Sequence, residues 1–159
     1  MSGQGSRGLH IWVDADACPL LIKQILYRVA NRTETPVTLV ANQMLRVPAS
    51  PWIHARQVAA GFDVADQAIV ELTQARDIVV TADVPLAALV IEKQALVLDP
   101  RGDLIDHHTI QARLTMRNFM QELRGSGVET GGPKSFTPKD ARAFANQLDR
   151  LLAKRRRGL

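Results

Sequence analysis

Five aspartates stand where apolar runs give way to helix-like stretches, and their spacing admits metal chemistry. Asp14 and Asp16 fall inside "IWVDADACP" (residues 11–19), Asp63 and Asp66 lie three apart in "GFDVADQAIVEL", and Asp83 ends "IVVTAD". Carboxylates crowded within a few ångströms of one another do not all stay ionised without a cation. Mg2+ or Mn2+ suits them if they converge, because both take oxygen ligands and retain waters for reaction. The candidate metal ligands are Asp14, Asp63, Asp66 and Asp83; the candidate catalytic residues are Asp14, Asp16, Asp66 and Asp83. Taken singly, Asp16, Asp63 and Asp83 also read as helix caps. Convergence decides between the two readings, and it depends on the elements that carry these residues.

The chain alternates short β-rich runs with helical patterns. "HIWVD", "PVTLVA", "IHARQVA", "DIVVTAD" and "ALVLD" read as strands. Between them, "PLLIKQILYRVANR" reads as a helix with Pro19 in its first turn, "DVADQAIVELTQAR" as a second and "VPLAALVIEKQ" as a third. This alternation predicts an α/β fold in three layers, with a mostly parallel sheet of about five strands between helices. The later part is an additional C-terminal helical segment: "TIQARLTMRNFMQELR", then a Gly-rich stretch, then "FTPKDARAFANQLDRLLAKRR" capped by Thr137 with Pro138 following. In an open parallel sheet, ligands bind beyond the carboxyl ends of the strands, where strand order reverses. If the first and fourth strands are neighbours there, Asp14 and Asp83 meet.

The chain has 159 residues, enough for a substantial core, and is 46% hydrophobic and 23% charged. No apolar run approaches the roughly 20 residues that span a bilayer. Residues 1–8, "MSGQGSRG", read as a disordered leader, 9–153 as one domain with a mobile loop at 125–136, and 154–159 as a basic tail. A single cysteine, Cys18, excludes an internal disulfide and suits a reducing cytoplasm. Aromatic residues make up only 4%, which argues against a stacking platform for single-stranded nucleic acid. Residues 1–100 carry 8 Lys/Arg against 10 Asp/Glu, and residues 101–159 carry 12 against 6. An acidic first part beside a basic end suits a protein that holds a cation in one place and a polyanion next to it. A solvated basic tail with no partner accounts for the end equally well.

The blocks "VDADACP", "GFDVADQAIVEL", "IVVTADVPLA", "DPRGD" and "GGPKSFTPKDARAFANQLDRLL", in this order from about His10 to Leu152, resemble the YaiI/YqxD-like family of uncharacterised bacterial proteins. More distantly, the strand-end aspartates and "DVADQAIV…IVVTAD" resemble PIN and NYN nuclease domains. That resemblance implies a PIN-like fold and metal-dependent hydrolysis of RNA. Asp14, Asp66 and Asp83 match its acidic positions, with Asp16 and Asp63 supporting; its further acidic position is not matched. Arg101, in the "PRGD" turn, and Arg113 and Arg117, one helical turn apart, are the candidate substrate-binding residues for flanking phosphates. The arginines also read as solvent-facing or salt-bridged.

Two other functions fit the residues. "DADAC" carries the Asp-x-Asp pattern of haloacid-dehalogenase-like phosphatases, with Asp14 as nucleophile and Asp16 as acid, though Thr81, Lys93, Asp103 and Asp106 fit the later motifs poorly. A catalytically inactive nucleic-acid-binding module is the third. Cys18, at a helix start, reads as a small buried or capping residue. "DHHT" (residues 106–109) reads as helix-start chemistry, and Gly131, Gly132 and Pro133 as a linker. Met116, Phe119 and Met120 read as core or dimer-contact residues, so a homo-oligomer is an open expectation.

Overall fold

The computed structural model describes residues 8–132 and 135–156. The leader expected at 1–8, apart from Gly8, lies outside the described residues, as do Pro133 and Lys134 of the Gly-rich stretch and residues 157–159 of the basic tail.

Six strands form one sheet: β1 (Ile11–Asp14), β2 (Val37–Ala41), β3 (Ile53–Gln57), β4 (Ile78–Val80), β5 (Leu96–Leu98) and β6 (Leu104–Ile105). Their spatial order is β3-β2-β1-β4-β5-β6. The first five run parallel, and β6 alone is antiparallel, paired to β5. The expectation of about five strands thus misses β6, whose two residues are too short to show any alternation. The helices are α1 (Leu20–Thr33), α2 (Val64–Leu72), α3 (Val84–Glu92), α4 (Ile110–Gly125) and α5 (Pro138–Arg156), and a 3-10 turn, Ala15–Ala17, follows β1.

Parallel strands covered on both faces need apolar residues at every position, and the central strands supply them. Ile11, Val13, Leu39, Ile78, Val80 and Leu98 join one core with α1 and α5, where Ile22, Leu26, Phe144 and Leu148 are buried. Trp12, Val40, Val79 and Val97 join a second core with Ile69 of α2 and Leu86 and Val90 of α3. Edge strand β3 buries only Ile53, which accounts for its polar sequence.

Local chemistry sets the helix ends. Pro19 stands one position earlier than expected, as the residue before α1, and its carbonyl accepts from the Ile22 and Lys23 amides. Helix α2 stops at Leu72, short of the expected Arg76, because Thr73 is extended and Arg76 has φ +74°. Thr137 and Asp140 cap α5 reciprocally: each side chain accepts from the other's amide, at 3.0 Å to Asp140 and 3.3 Å to Thr137.

The "DPRGD" turn after β5 locks against α5. Gly102 has φ +96°, and a Cβ built there would lie 2.7 Å from the Ala143 carbonyl carbon. Only glycine suits both the backbone angle and this approach. Arg101 Nη1 reaches Asp140 at 2.8 Å across the same junction. Two blocks far apart in sequence therefore meet as one structural unit.

At the opposite, amino edge of the sheet, Asp77 is 2% exposed and accepts from His10 N, Trp12 Nε1 and Gln74 N at 3.1, 3.0 and 2.9 Å. This aspartate ties β1 to the start of β4.

Candidate functional site

Strand order reverses between β1 and β4, the place where open parallel sheets form their ligand crevice. The expectation that the first and fourth strands are neighbours is met, and the register gives the detail. Val13 pairs with Val80, so Asp14, which ends β1, and Thr81, which directly follows β4, stand side by side. Thr81 Oγ1 donates to Asp14 Oδ2 at 2.9 Å and accepts from Asp83 N at 3.0 Å. Thr81 is only 2% exposed, so this hydroxyl is a fixed brace between two candidate ligands. Asp83 also caps α3, with its Oδ1 accepting from Leu86 N at 3.0 Å. Cap and candidate ligand are here the same residue, since one carboxylate offers several lone pairs.

The third carboxylate comes from α2, which packs over β1 and β2 and beside α3. Buried Ala65 and Ile69 fix the rotation of α2, and Asp66 lies between them in the first turn. Its carboxyl is pushed up to about 6, first by burial and then by the charges of Asp83, Asp14 and Asp63 and by a hydrogen bond shared with Asp83. Asp14 is raised as well: burial dominates, the Thr81 hydroxyl opposes it, and the charges of Asp83 and Asp16 add to it. The structure thus brings Asp14, Asp66 and Asp83 into one electrostatic group, with Asp16 and Asp63 at its margin.

Those two marginal residues differ in placement. Asp16 is exposed, and its Oδ2 accepts from Asn42 N at 2.9 Å, tying the turn after β1 to the loop after β2. It does not cap α1. Asp63 is exposed, sits in the left-handed region at φ 64°, and makes no side-chain cap bond to α2.

The arginines proposed for substrate contact are all engaged. Arg101 binds Asp140, Arg113 reaches Asp103 at 3.1 Å, and Arg117 donates to Gln121 at 3.3 Å. Asp99, at the carboxyl end of β5, is 9% exposed and raised by burial, but its Oδ1 accepts from Arg101 N at 2.7 Å in its own turn. It serves the turn, not the aspartate group. Cys18 matches the quiet reading: burial pushes its thiol up to about 12. A cavity of about 470 Å3 opens at the amino edge among His10, Glu34, Trp52 and Arg155, away from the aspartates.

Sequence reasoning named Thr81 only as a poor fit to a phosphatase motif, and it missed Asn42. Thr81 left a signal, a hydroxyl residue between a buried strand and a capping aspartate in "VVTAD". Asn42 left none; its Oδ1 is buried and accepts no hydrogen bond among the described residues. Such an acceptor beside Asp16 is one a cation or water would satisfy.

Every donor of the group is an oxygen, which fits a hard divalent cation. Among the described residues, however, no three His, Cys, Asp or Glu side chains stand together at a spacing that would hold an ion. The fit is therefore one of donor type and charge, and side-chain rotation would have to close the group. Among the described residues no helix is long and apolar enough to cross a membrane.

Comparison with known proteins places this arrangement in a family. Residues 12–154 match the family described as "Uncharacterized BCR, YaiI/YqxD family". The UPF0178 protein of Bordetella petrii is 61% identical over 144 residues, 91% of this chain and 96% of its own length. The UPF0178 protein of Dechloromonas aromatica is 61% identical over 146 residues, covering 92% and 97%. That of Cronobacter sakazakii is 58% identical over 149 residues, covering 94% and 99%. No solved structure matches significantly. The α/β sheet and its reversal point, with the aspartates grouped there, are thus those of a protein that belongs to the bacterial YaiI/YqxD (UPF0178) family.

Proposed function

We propose that the protein is a divalent-cation-dependent phosphodiesterase acting on RNA, built on a PIN-like domain. One observation carries this reading: Asp14, Asp66 and Asp83 gather at the reversal point, where burial first, and then the charges of Asp83 and Asp14, push the Asp66 carboxyl up to about 6. Crowded carboxylates relieve their repulsion by taking up a proton or a cation. When bound, Mg2+ or Mn2+ supplies Lewis-acid polarisation of a phosphoryl oxygen.

The chain's own residues do the rest. Thr81 donates to Asp14 on one side while its oxygen takes the Asp83 amide on the other, which keeps the two strand-end carboxylates on adjacent strands in register. Asp66, with its carboxyl pushed up to about 6, can accept a proton at working pH. The charge excess of residues 101–159 suits a polyanionic substrate, and Arg101 lies in the turn just beyond β5 at the same edge. Phosphate contact by Arg101 or Arg113 requires exchange of Asp140 or Asp103 for phosphate.

The phosphatase reading has less support, because Asp16, its acid, is engaged by the Asn42 amide. The test is titration of Mn2+ and Mg2+ into the wild type and an Asp14→Asn/Asp83→Asn variant, read by calorimetry and thermal shift. Asparagine caps helices well, so α3 is preserved. Saturable binding in the wild type, lost in the variant together with RNA cleavage, is expected. Equal RNA cleavage by both proteins would refute the mechanism. RNA binding that is steeply salt-dependent but needs no metal would identify a binding module instead.

A further inference from the structure

Helix α4 is amphipathic, yet none of its sixteen residues is buried. Its apolar residues divide into two stripes. Ile110 and Leu114 form one; α4 packs along α3, and Ile110 joins the second core there. Ala112, Met116, Phe119 and Leu123 form the other, on a different face. Met116 is 59% exposed and Phe119 52%. Val128, 47% exposed, extends this second stripe, because its amide turns back onto the Leu123 carbonyl at 2.9 Å.

The stripe has the spacing of a helix–helix seam. Steps of four, three and four residues are those of alternating a and d positions, which face a partner helix. The seam is also self-complementary under a two-fold axis. An antiparallel copy with Met116 opposite Phe119 of its mate sets Ala112 opposite Leu123, a small residue against a large one. The flanking positions then pair Arg113 with Met120 and Thr115 with Glu122, so no like charges face across it. An isologous contact requires this reciprocal matching.

We propose that this face of α4 is the interface of a homodimer, in which two α4 helices pack antiparallel along the Ala112–Met116–Phe119–Leu123 seam. Met116, Phe119 and Val128 offer on the order of 300 Å2 of apolar surface per copy, as large as the biggest patch many monomers carry. A specific interface needs roughly 600 Å2 per partner. The seam supplies about half of that as its apolar centre and the polar residues beside it the remainder, the usual division between core and rim. The dimer is therefore of the weaker, concentration-dependent kind. It is independent of the nuclease reading.

Light scattering during size exclusion, run on the full chain at concentrations up to about 1 mM, tests this directly. The wild type is expected as a dimer, and Met116→Glu and Phe119→Glu as monomers with unchanged helical circular dichroism. A register test accompanies it in a Cys18→Ala background. Oxidation should link Ala112→Cys/Leu123→Cys chains into covalent dimers, and neither single cysteine variant should link. A monomeric wild type would overturn the proposal and leave the face to another partner. So would a dimer that survives both glutamates, or efficient linking by Ala112→Cys alone, which marks a parallel pair.

Discussion

Replacing Asp66 by asparagine should stabilise the metal-free protein, and only above the pH at which Asp66 ionises. Its carboxyl titrates near 6 in the fold against an ordinary 3.8. The folded chain therefore binds this proton more tightly than the unfolded chain. The resulting stability is fully present below pH 3.8 and is lost as pH rises through about 6. A gap of about two pH units is worth roughly 3 kcal/mol at most. Asp66 is only partly buried, and solvent screening reduces the loss to about 1 kcal/mol. Asparagine keeps the shape and can donate to Asp83 without a charge. At pH 7.5 the variant should melt about 2–4 °C above the wild type, and near pH 4 the two should coincide. Scanning fluorimetry at four or five pH values, with chelator present, measures this. Millimolar Mn2+ should then raise the wild-type Tm more than that of the variant. An Asp66→Asn protein whose Tm difference from the wild type does not grow between pH 4 and 7.5 would show that Asp66 is not crowded by Asp14 and Asp83.

Two further substitutions probe the frame that holds the group. Gly102→Ala combines φ +96° with a Cβ 2.7 Å from the α5 backbone, so a loss of about 2–4 kcal/mol is expected in urea unfolding; a loss under 0.5 kcal/mol would mean that the turn does not rest on α5. Asp77→Ala strips three N–H groups of their acceptor, among them Trp12 Nε1. It should cost about 2–4 kcal/mol and alter Trp12 fluorescence, while leaving metal binding by folded protein intact because Asp77 lies at the opposite edge. Weakened Mn2+ affinity in that folded variant would contradict the separation of the two edges.

Much of the frame is legible along the chain. The runs "IWVD", "VTLVA" and "IVV" are apolar at successive positions because parallel strands are covered on both faces, and helical runs between them require crossovers. Topology rules make the pairing of β1 with β4 the condition for the aspartates to meet, and the sheet meets it. Strand β6 was not legible, because two residues carry no periodicity; its pairing with β5 follows from the "DPRGD" turn. The arginines could not be assigned either. A guanidinium's partner depends on which distant carboxylate the fold delivers, and for Arg101 that carboxylate is 39 positions away.

The sequence by itself determined the α/β alternation, the helix starts at Asp83 and Thr137, and the set of aspartates that strand ends could bring together. These are local matters of periodicity, capping and side-chain chemistry. Only the tertiary structure decided which aspartates share a field. Register set Asp14 beside Thr81, and the rotation of α2, fixed by burial of Ala65 and Ile69, turned Asp66 towards Asp83 and left Asp63 at the margin. Electrostatic coupling depends on distance in space and on burial, and neither is encoded in spacing along the chain.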